Sequence, residues 1–315
     1  TSRFSWKIPK MIQVFGHKAP DTDATGSAII WSWYLNEIKD QAAAPKLLGK
    51  PNSEAAFVLQ RWGFDQPEII VDVNEGDDVI IVDTNNPAEL PASINFANIL
   101  EIIDHHMLVG GIRTKCPINI TMRPLACTAT IMADIMGNDL TKAPEAIKGI
   151  MLSCILSDTL EFRSPTTTET DVALAHLLAD ELVIDINSYA TDMFAAKSDV
   201  SAFSDSELLR MDSKMYEVGG KNFRVSVLET TSPTIVLNRK ASLMDTMKTV
   251  AREDGVDQVL MFVVDILNEQ STLLVANDLV KTVAEKSFGV TVVSDTIVLP
   301  GVISRKKQII PQLVL

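Results

Sequence analysis

The sequence predicts a two-domain α/β protein, in which a parallel sheet covered on both faces is followed by a smaller unit of strands and helices. The chain has 315 residues, which is long for a single hydrophobic core. Short apolar runs alternate with longer helical patterns through the first half. A polar stretch without hydrophobic periodicity, residues 197–205, then separates this half from a second alternating pattern.

The first half is predicted to contain three strands, each of which ends in polar side chains. These strands span residues 11–15 (MIQVF), 77–85 (DDVIIVDTN) and 98–106 (NILEIIDHH). The spacing of apolar residues predicts helices over residues 25–38, 128–137, 143–159 and 168–182. Strands that alternate with helices favour a parallel sheet. Residues 1–10 are expected to form a short extension before the first strand.

The second half repeats the alternation with its own elements. Strands are predicted over residues 223–230, 258–267 and 271–277, and helices over residues 241–254 and 277–288. The glycines of EVGGKNF (217–223) predict a hairpin turn, and residues 296–313 close the chain. The predicted division is therefore a first domain over residues 1–197, a linker over 198–204 and a second domain over 205–315.

The charge of the chain limits the partners that it can attract. The formal net charge is −13, so the protein does not attract nucleic acid or an anionic membrane by bulk charge. An anionic substrate would need local neutralisation, by metal ions or by clustered Lys and Arg. No apolar run approaches the roughly 20 residues of a membrane-spanning helix.

The cysteines and the N-terminal residues favour a cytoplasmic protein. The cysteines lie far apart without CxxC spacing, as is typical of reduced thiols: Cys116, Cys127 and Cys154. Basic residues occur within residues 1–10, but the apolar stretch that follows them is too short for the core of a signal peptide.

Acids and histidines follow all three predicted strands of the first half. Functional groups collect at the carboxyl ends of strands in open α/β sheets, where neighbouring strands bring them together. Three of the four histidines lie at these ends beside acids. A further acid closes the apolar helix pattern over residues 143–159. The complete set is His17, Asp21, Asp23, Asp83, Asp104, His105, His106 and Asp158.

Taken one at a time, these acids are equally well explained as helix caps. Asp21 and Asp23, for example, precede an apolar helix. So many converging carboxylates would repel one another unless divalent cations compensated their charge. Imidazole and carboxylate ligands without thiolate suit Mn²⁺, Co²⁺, Mg²⁺ or Zn²⁺, and the imidazoles favour Mn²⁺ over Mg²⁺. The set is too large for one ion, and two ions about 3.5–4 Å apart would stabilise an in-line displacement at phosphorus.

A short basic cluster is the second candidate site. The segment SRKKQ (304–308) places Arg305, Lys306 and Lys307 side by side in an acidic protein. The cluster is equally well explained as a solvated charge run. As a functional site it would bind phosphate oxygens, Arg through its planar fork and Lys as a point charge.

These motifs together resemble those of a known superfamily. GHKAPDTDA, VDTN, DHH and SDT, in that order, look like the four motifs of the DHH phosphoesterases. Within that superfamily the chain resembles the manganese-dependent, family II inorganic pyrophosphatases over nearly its whole length, including their SRKKQ signature. The resemblance implies an N-terminal parallel-sheet DHH domain, a smaller mixed α/β DHHA2 domain and an active site in the cleft between them.

The resemblance also implies a role for each candidate residue. Six would be metal ligands: His17 and Asp21 for the first ion, Asp23 and His105 for the second, and Asp83 and Asp158 bridging both. Asp104 would orient a histidine ring, and His106 would face the substrate as a hydrogen-bond donor or acid. Three cations would grip the substrate away from the metals: Lys214, Arg305 and Lys306. Lys307 receives no role.

The implied activity is hydrolysis of pyrophosphate to two orthophosphates by a two-metal mechanism, in which a metal-bridging hydroxide attacks phosphorus. At least two Mn²⁺ per subunit are implied, with Co²⁺ or Mg²⁺ as substitutes, and so is a homodimer. Two alternatives stay open. One is an exopolyphosphatase or small-nucleotide phosphodiesterase of the same superfamily, and the other is a catalytically silent metal- or phosphate-binding protein. The glycine-rich GGGH-like loop of the nuclease branch is missing, which argues against nucleic-acid substrates.

Several other polar residues are interpreted as structural. His176 lies within an amphipathic helix pattern, and Asp265 ends an apolar run without a partner histidine. Asp212 is grouped with the polar acids of the linker and helix surface. Cys154 lies close to Asp158 but on an apolar helix, where a thiol is most often part of the core.

Overall fold

The computed structural model describes residues 10–315, so the predicted extension lies outside the described residues except for Lys10. The N-terminal sheet has six strands: β1 (Ile12–Phe15), β2 (Ala43–Leu47), β3 (Glu68–Ile69), β4 (Asp78–Val82), β5 (Asn98–Asp104) and β6 (Asn119–Met122). Their order is β3-β2-β1-β4-β5-β6, and every neighbouring pair is parallel, which confirms the predicted sheet. The order reverses between β1 and β4, and open α/β sheets bind ligands at such a switch point.

Six helices accompany this sheet: α1 (Thr22–Glu37), α2 (Ser53–Trp62), α3 (Thr128–Met136), α4 (Glu145–Thr159), α5 (Glu169–Leu182) and α6 (Ile186–Ser198). Successive side chains of β4 enter different cores, because they point to opposite faces of the sheet. Ile80 and Val82 belong to the core that contains α1, α3 and α4. Val79 and Ile81 pack instead beneath the short turns Pro87–Glu89 and Ile94–Phe96. Both faces are thus covered, with helices on one of them.

The close packing of α1 on α4 depends on a glycine. A Cβ atom at Gly26 would overlap the sulfur of Cys154 and crowd Ile150. Cys154 is fully buried at this contact, so its interpretation as a core thiol is confirmed. The contact matters for the site because α1 and α4 each carry acids of the predicted metal cluster.

The C-terminal sheet is mixed, as the resemblance implied. Its strands are β7 (Ser213–Val218), β8 (Lys221–Thr230), β9 (Gln258–Asp265), β10 (Gln270–Leu274) and β11 (Thr296–Pro300), in the order β11-β10-β9-β8-β7. Only β8 and β9 pair in parallel among these neighbours. The predicted hairpin turn joins β7 to β8, and Gly219 and Gly220 both adopt positive φ there, at 57° and 78°.

Four helices accompany the second sheet: α7 (Asp205–Met211), α8 (Pro233–Leu237), α9 (Lys240–Asp254) and α10 (Asp278–Phe288). Residues 199–204 connect α6 to α7, and the domain boundaries stay a prediction. Eight elements lie where no element was predicted from the sequence: β2, α2, β3, β6, α6, α7, β7 and α8. The strand β11 lies in residues 296–313, which were given no element type. Within residues 10–315, no helix has both the length and the apolar character that crossing a membrane requires.

Candidate active site

A cavity of about 150 Å³ lies between the two sheets and is lined by residues of both. One wall follows the carboxyl ends of β4 and β5, and the opposite wall is formed by β7 and residues 303–306. Eight of the predicted site residues line it: Asp21, Asp83, His105, His106, Asp158, Lys214, Arg305 and Lys306. The other three, His17, Asp23 and Asp104, contact these residues from behind.

Asp83 occupies the centre of the acid and histidine cluster. Its Oδ2 atom lies 3.3 Å from His17 Nε2, and its Oδ1 atom lies 3.2 Å from His105 Nε2. The residue follows β4 with a positive φ of 59°, and its N–H donates to the carbonyl of Ile103. A non-glycine residue in this region is strained, and such strain persists where the surrounding structure fixes it. The two oxygens of Asp83 therefore face two different imidazoles.

Asp21 combines the two interpretations that the sequence left open. Its Oδ1 accepts from the backbone N–H of Ala24 at 2.9 Å, so it is the N-cap of α1. Its Oδ2 lies 3.5 Å from His17 Nε2. One oxygen stabilises the helix while the other remains available to the cluster.

Asp23, His105 and Asp158 form a second group beside Asp83. His105 Nε2 lies 3.6 Å from Asp158 Oδ2 and 3.9 Å from Asp23 Oδ2. His105 Nδ1 donates to the carbonyl of Leu125 at 3.1 Å, so Nε2 is the ring nitrogen that faces the carboxylates. Asp23 also accepts from the N–H of Thr128, at 2.7 Å, at the start of α3. Asp158 lies in the last turn of α4.

The potential ligand atoms fall into three groups, each within 4.8 Å. Two of these groups resemble the two predicted ion sites: His17, Asp21 and Asp83 in one, and Asp23, His105 and Asp158 in the other. The third contains Asp83, His105 and His106. Asp158 shares a group with Asp23 and His105, whereas the bridging role implied for it would also bring it to the first site.

The electrostatics of the cluster fit divalent cations. Burial and the charge of Asp83 raise the pKa of Asp23 well above its usual value, and burial and the charge of Asp23 do the same for Asp158. Burial alone would lower the pKa of His17, but the effect of Asp21 and Asp83 is larger, and together they raise this pKa to about 10. His17 Nε2 is buried without a hydrogen-bond partner. Carboxylates that cannot all ionise, grouped around buried imidazoles, form a suitable donor set for manganese, whose charge would replace the protons that they otherwise share.

Asp104 orients the ring of His106. Its Oδ1 lies 2.7 Å from His106 Nδ1, and its Oδ2 accepts from Asn85 Nδ2 at 2.6 Å. Burial and the nearby Lys214 lower the pKa of His106 to about 4, so the ring is neutral at pH 7. Nδ1 then carries the proton and donates to Asp104, while Nε2 accepts from Lys214 Nζ at 2.9 Å. Both ring nitrogens are engaged by protein groups, which disfavours His106 as a metal ligand.

The opposite wall carries three buried or half-buried cations. Burial would lower the pKa of Lys214. The charge of Glu89, whose Oε1 lies 3.6 Å away, has the larger effect and raises this pKa. Arg305 Nη1 donates to the carbonyl of Asp212 at 2.8 Å and lies 3.1 Å from its carboxylate. Lys306 Nζ donates to the carbonyl of His105.

Lys307 differs from its two neighbours in the segment. Its Nζ donates to the carbonyl of Pro165 at 2.9 Å in an exposed position, and neither residue lines the cavity. Ser304 Oγ accepts from the N–H of Lys307, and Gln308 Oε1 accepts from the N–H groups of Ile303 and Ser304. These bonds fix the segment so that successive side chains point to different surroundings.

Sequence reasoning missed several residues of the site. Asp212 was expected at the surface, but it lines the cavity and pairs with Arg305, because α7 ends against the cavity wall. Glu89, Lys197 and Glu229 also line the cavity. None of these belongs to a recognisable motif, and only the folded chain brings them to the site.

Two residues that were interpreted as structural lie outside the acid and histidine cluster and the cavity. His176 packs against Phe162, with ring centroids 5.8 Å apart, and is not among the cavity residues. Asp265 accepts from the N–H groups of Leu267 and Asn268 and so stabilises the turn after β9.

Comparisons with known proteins agree with this geometry. The model of the DHH family N-terminal domain matches residues 11–157, and that of the DHHA2 domain matches residues 191–314. The chain is 35% identical to a probable manganese-dependent inorganic pyrophosphatase of Lactobacillus acidophilus, over 95% of this chain and 96% of that one. A protein of Deinococcus radiodurans with the same description is 38% identical, over 96% and 98% of the two chains. The crystal structure of a putative family II inorganic pyrophosphatase of Methanococcus jannaschii superimposes with a TM-score of 0.84 at 32% identity, covering 96% of this chain and 98% of that one.

Proposed function

The chain belongs to the manganese-dependent, family II inorganic pyrophosphatases, and from this premise we propose that it hydrolyses pyrophosphate to two orthophosphates by a two-metal mechanism in the cavity between its sheets. The observation that carries the proposal is the opposition of charge across that cavity. Clustered acids and imidazoles line one wall, and Lys214, Arg305 and Lys306 line the other. A small anion bridged by cations would be complementary to both walls.

The proposed metal ligands follow the observed groups. His17, Asp21 and Asp83 would hold one manganese ion, and Asp23, His105 and Asp158 the other, with Asp83 between the two. Bound manganese would withdraw electron density from the phosphoryl group and lower the pKa of the attacking water. The burial of these ligands would keep bulk water away, which strengthens each electrostatic contact.

The cationic wall would bind the phosphoryl group that departs. Arg305 is held by Asp212, so its guanidinium is oriented before substrate arrives. Negative charge grows on the leaving group during the reaction, and fixed cations stabilise it there. His106, whose ring is held by Asp104, would position the Lys214 ammonium group that donates to its Nε2.

The size of the cavity supports a small substrate. Its volume of about 150 Å³ is below the roughly 300–1,000 Å³ of pockets that hold drug-sized ligands. Pyrophosphate suits such a cavity better than a dinucleotide does.

Purified protein should be assayed with pyrophosphate, tripolyphosphate and a dinucleotide, each with Mn²⁺, Co²⁺ or Mg²⁺. Pyrophosphate with Mn²⁺ is expected to give the fastest turnover. Faster hydrolysis of tripolyphosphate or of the dinucleotide would overturn the proposal in favour of another activity of the superfamily.

Family membership also supports finer proposals. These are a homodimer, a cytoplasmic location and a division into domains over residues 1–197 and 205–315. The location is supported by three free cysteines, of which Cys127 and Cys154 are buried. Light scattering should give twice the chain mass of 34.5 kDa. A monomer in dilute solution would contradict the dimer.

A further inference from the structure

Glu54 is a buried carboxylate that the proposed mechanism does not use. It lies in the first turn of α2, after the N-cap Asn52, and its side chain is fully buried. Burying a carboxylate is costly unless the group is paired and hydrogen-bonded. The groups that contact Glu54 therefore indicate why a carboxylate is buried at this position.

One oxygen of Glu54 joins two of the sequence motifs of the site. Oε1 accepts from Thr22 Oγ1 at 2.6 Å and also from Ser157 Oγ. Thr22 lies between Asp21 and Asp23 in the first motif, and Ser157 precedes Asp158 in the fourth. A single atom thus links the segments that supply three of the six proposed ligands.

The other oxygen of Glu54 faces a lysine. Oε2 has no hydrogen-bond partner among the described residues, and Lys197 Nζ lies 3.5 Å from it. Lys197 Nζ donates in turn to Glu229 Oε2 on β8, at 2.6 Å. The charge of Glu54 is balanced by a cation that also contacts the second sheet.

We infer that Glu54 is a positioning residue that sets the relative placement of the first and fourth motifs, and so the geometry in which Asp21, Asp23 and Asp158 receive metal. The inference rests on the proposed function. Thr22 and Ser157 donate to one acceptor, so neither motif can shift without breaking a bond to it. Groups that hydrogen-bond metal ligands typically change metal affinity by about 10–100-fold when they are removed, which sets the upper range for Glu54, whose bonds are to the neighbours of the ligands.

The test is manganese binding to metal-free protein, measured by calorimetry. Glu54→Ala should weaken Mn²⁺ binding about 10–100-fold. Glu54→Gln keeps a carbonyl oxygen for both hydroxyls, so it should restore most of the affinity. The matched control is Glu169→Ala, since Glu169 is an exposed glutamate in the first turn of α5, and this variant should bind Mn²⁺ like wild type.

A second pair of changes tests the inference without altering Glu54. Combining Thr22→Val with Ser157→Ala removes both donated hydrogen bonds and should reproduce the loss seen with Glu54→Ala. Adding Glu54→Ala to this pair should cause little further loss, because all three changes remove the same link. Fully additive losses would overturn the inference.

The two proposals fail in different ways. A purely structural Glu54 would lower the melting temperature of its variants but leave the Mn²⁺ dissociation constant of the folded protein unchanged, which overturns the positioning role alone. Wild-type protein that binds no Mn²⁺ would overturn the proposed metal centre together with the inference.

Discussion

At the scale of single residues, Asp83 is the point on which the cluster depends. It lies between His17 and His105, and its positive φ directs one oxygen towards each of them. Aspartate and asparagine tolerate this backbone conformation better than most residues. Asparagine at position 83 should therefore remove the charge of the side chain without disturbing the backbone conformation.

We expect Asp83→Asn to lose bound manganese and to lower pyrophosphate hydrolysis by orders of magnitude, because the amide offers a neutral oxygen where a charged one is proposed to bridge. Metal content after dialysis and the rate of phosphate release measure the two effects. Asp265→Asn is the control, since Asp265 also ends a strand but only stabilises a turn. Unchanged metal content in Asp83→Asn would count against the assignment.

Lys306 and Lys307 are adjacent and yet differ in their expected roles. Lys306→Ala should leave both metal sites filled and reduce kcat about 10²–10³-fold, as loss of a group that stabilises transition-state charge commonly does. Lys307→Ala should hydrolyse pyrophosphate at the wild-type rate, because its ammonium group donates to the carbonyl of Pro165 and does not line the cavity. Steady-state kinetics with saturating Mn²⁺ distinguish them. Equal rates for the two variants would mean that the clamp is misplaced.

The residues of the site could be predicted where they belong to a recognisable sequence motif. Strand-end acids beside histidines were visible in the sequence, and the structure brings all of them together. Asp212, Glu89 and Glu54 were not, because each is an isolated acid whose role arises from long-range packing. An acid of this kind has the same local sequence appearance as a solvated one.

At the scale of elements, strong periodicity or continuous apolar runs allowed prediction. The strands β1, β4, β5 and β9 are nearly continuous apolar runs, and each was found within a few residues of its observed bounds. The strand β2 (AAPKL) contains a proline and a lysine, so its sequence resembles a loop. The helix α6 was overlooked although Tyr189, Ala190, Met193 and Phe194 are buried at helical spacing.

A salt-bridge network joins one strand of the second sheet to two of the helices that accompany it. Arg210 of α7 and Arg224 of β8 both donate to Asp254, the last residue of α9, at 3.0 Å and 2.8 Å. Burial would raise the pKa of Asp254, but the hydrogen bond from Arg210 and the charge of Arg224 outweigh it and lower it. A lowered pKa in the folded state means that the ionised form stabilises the fold.

This stabilisation should be present above pH 5 and disappear as the pH falls below the ordinary value of about 3.8. Asp254→Asn is therefore expected to lower the urea midpoint of metal-free protein at pH 7, by the equivalent of about 0.5–1 kcal/mol, because solvent screens this partly exposed pair. The difference from wild type should shrink at pH 3.5. Asp245→Asn, an exposed change on the same helix, should match wild type at both values. A pH-independent difference would contradict the role of the charge.

At the scale of the whole molecule, the site depends on how the two sheets face each other. The sequence allowed the acidic half and the cationic half of the site to be predicted separately, because the acids and the cations lie in different motifs. Their mutual orientation is fixed by contacts that have no local signal, such as Lys197 of α6 with Glu229 of β8 and Lys306 with the backbone of His105. The family resemblance, and not the residue pattern, suggested that the halves meet.

Metal should stabilise the whole fold, because the acids of the cluster repel one another without it. Mn²⁺ at about 100 times its dissociation constant is expected to add about 2.7 kcal/mol, seen as a rise in melting temperature over the EDTA-treated protein. Asp83→Asn should show a smaller rise at the same concentration. An equal rise in both proteins would mean that manganese binds elsewhere.

The order of the site residues along the chain has a consequence for translation. The ribosome has made all the acids and imidazoles of the cluster once it has added Asp158. It must then add nearly half of the chain before it reaches Arg305 and Lys306. A nascent polypeptide can thus acquire the groups proposed to capture manganese long before those proposed to grip pyrophosphate. We expect hydrolysis to begin only once synthesis has passed the last of these cations.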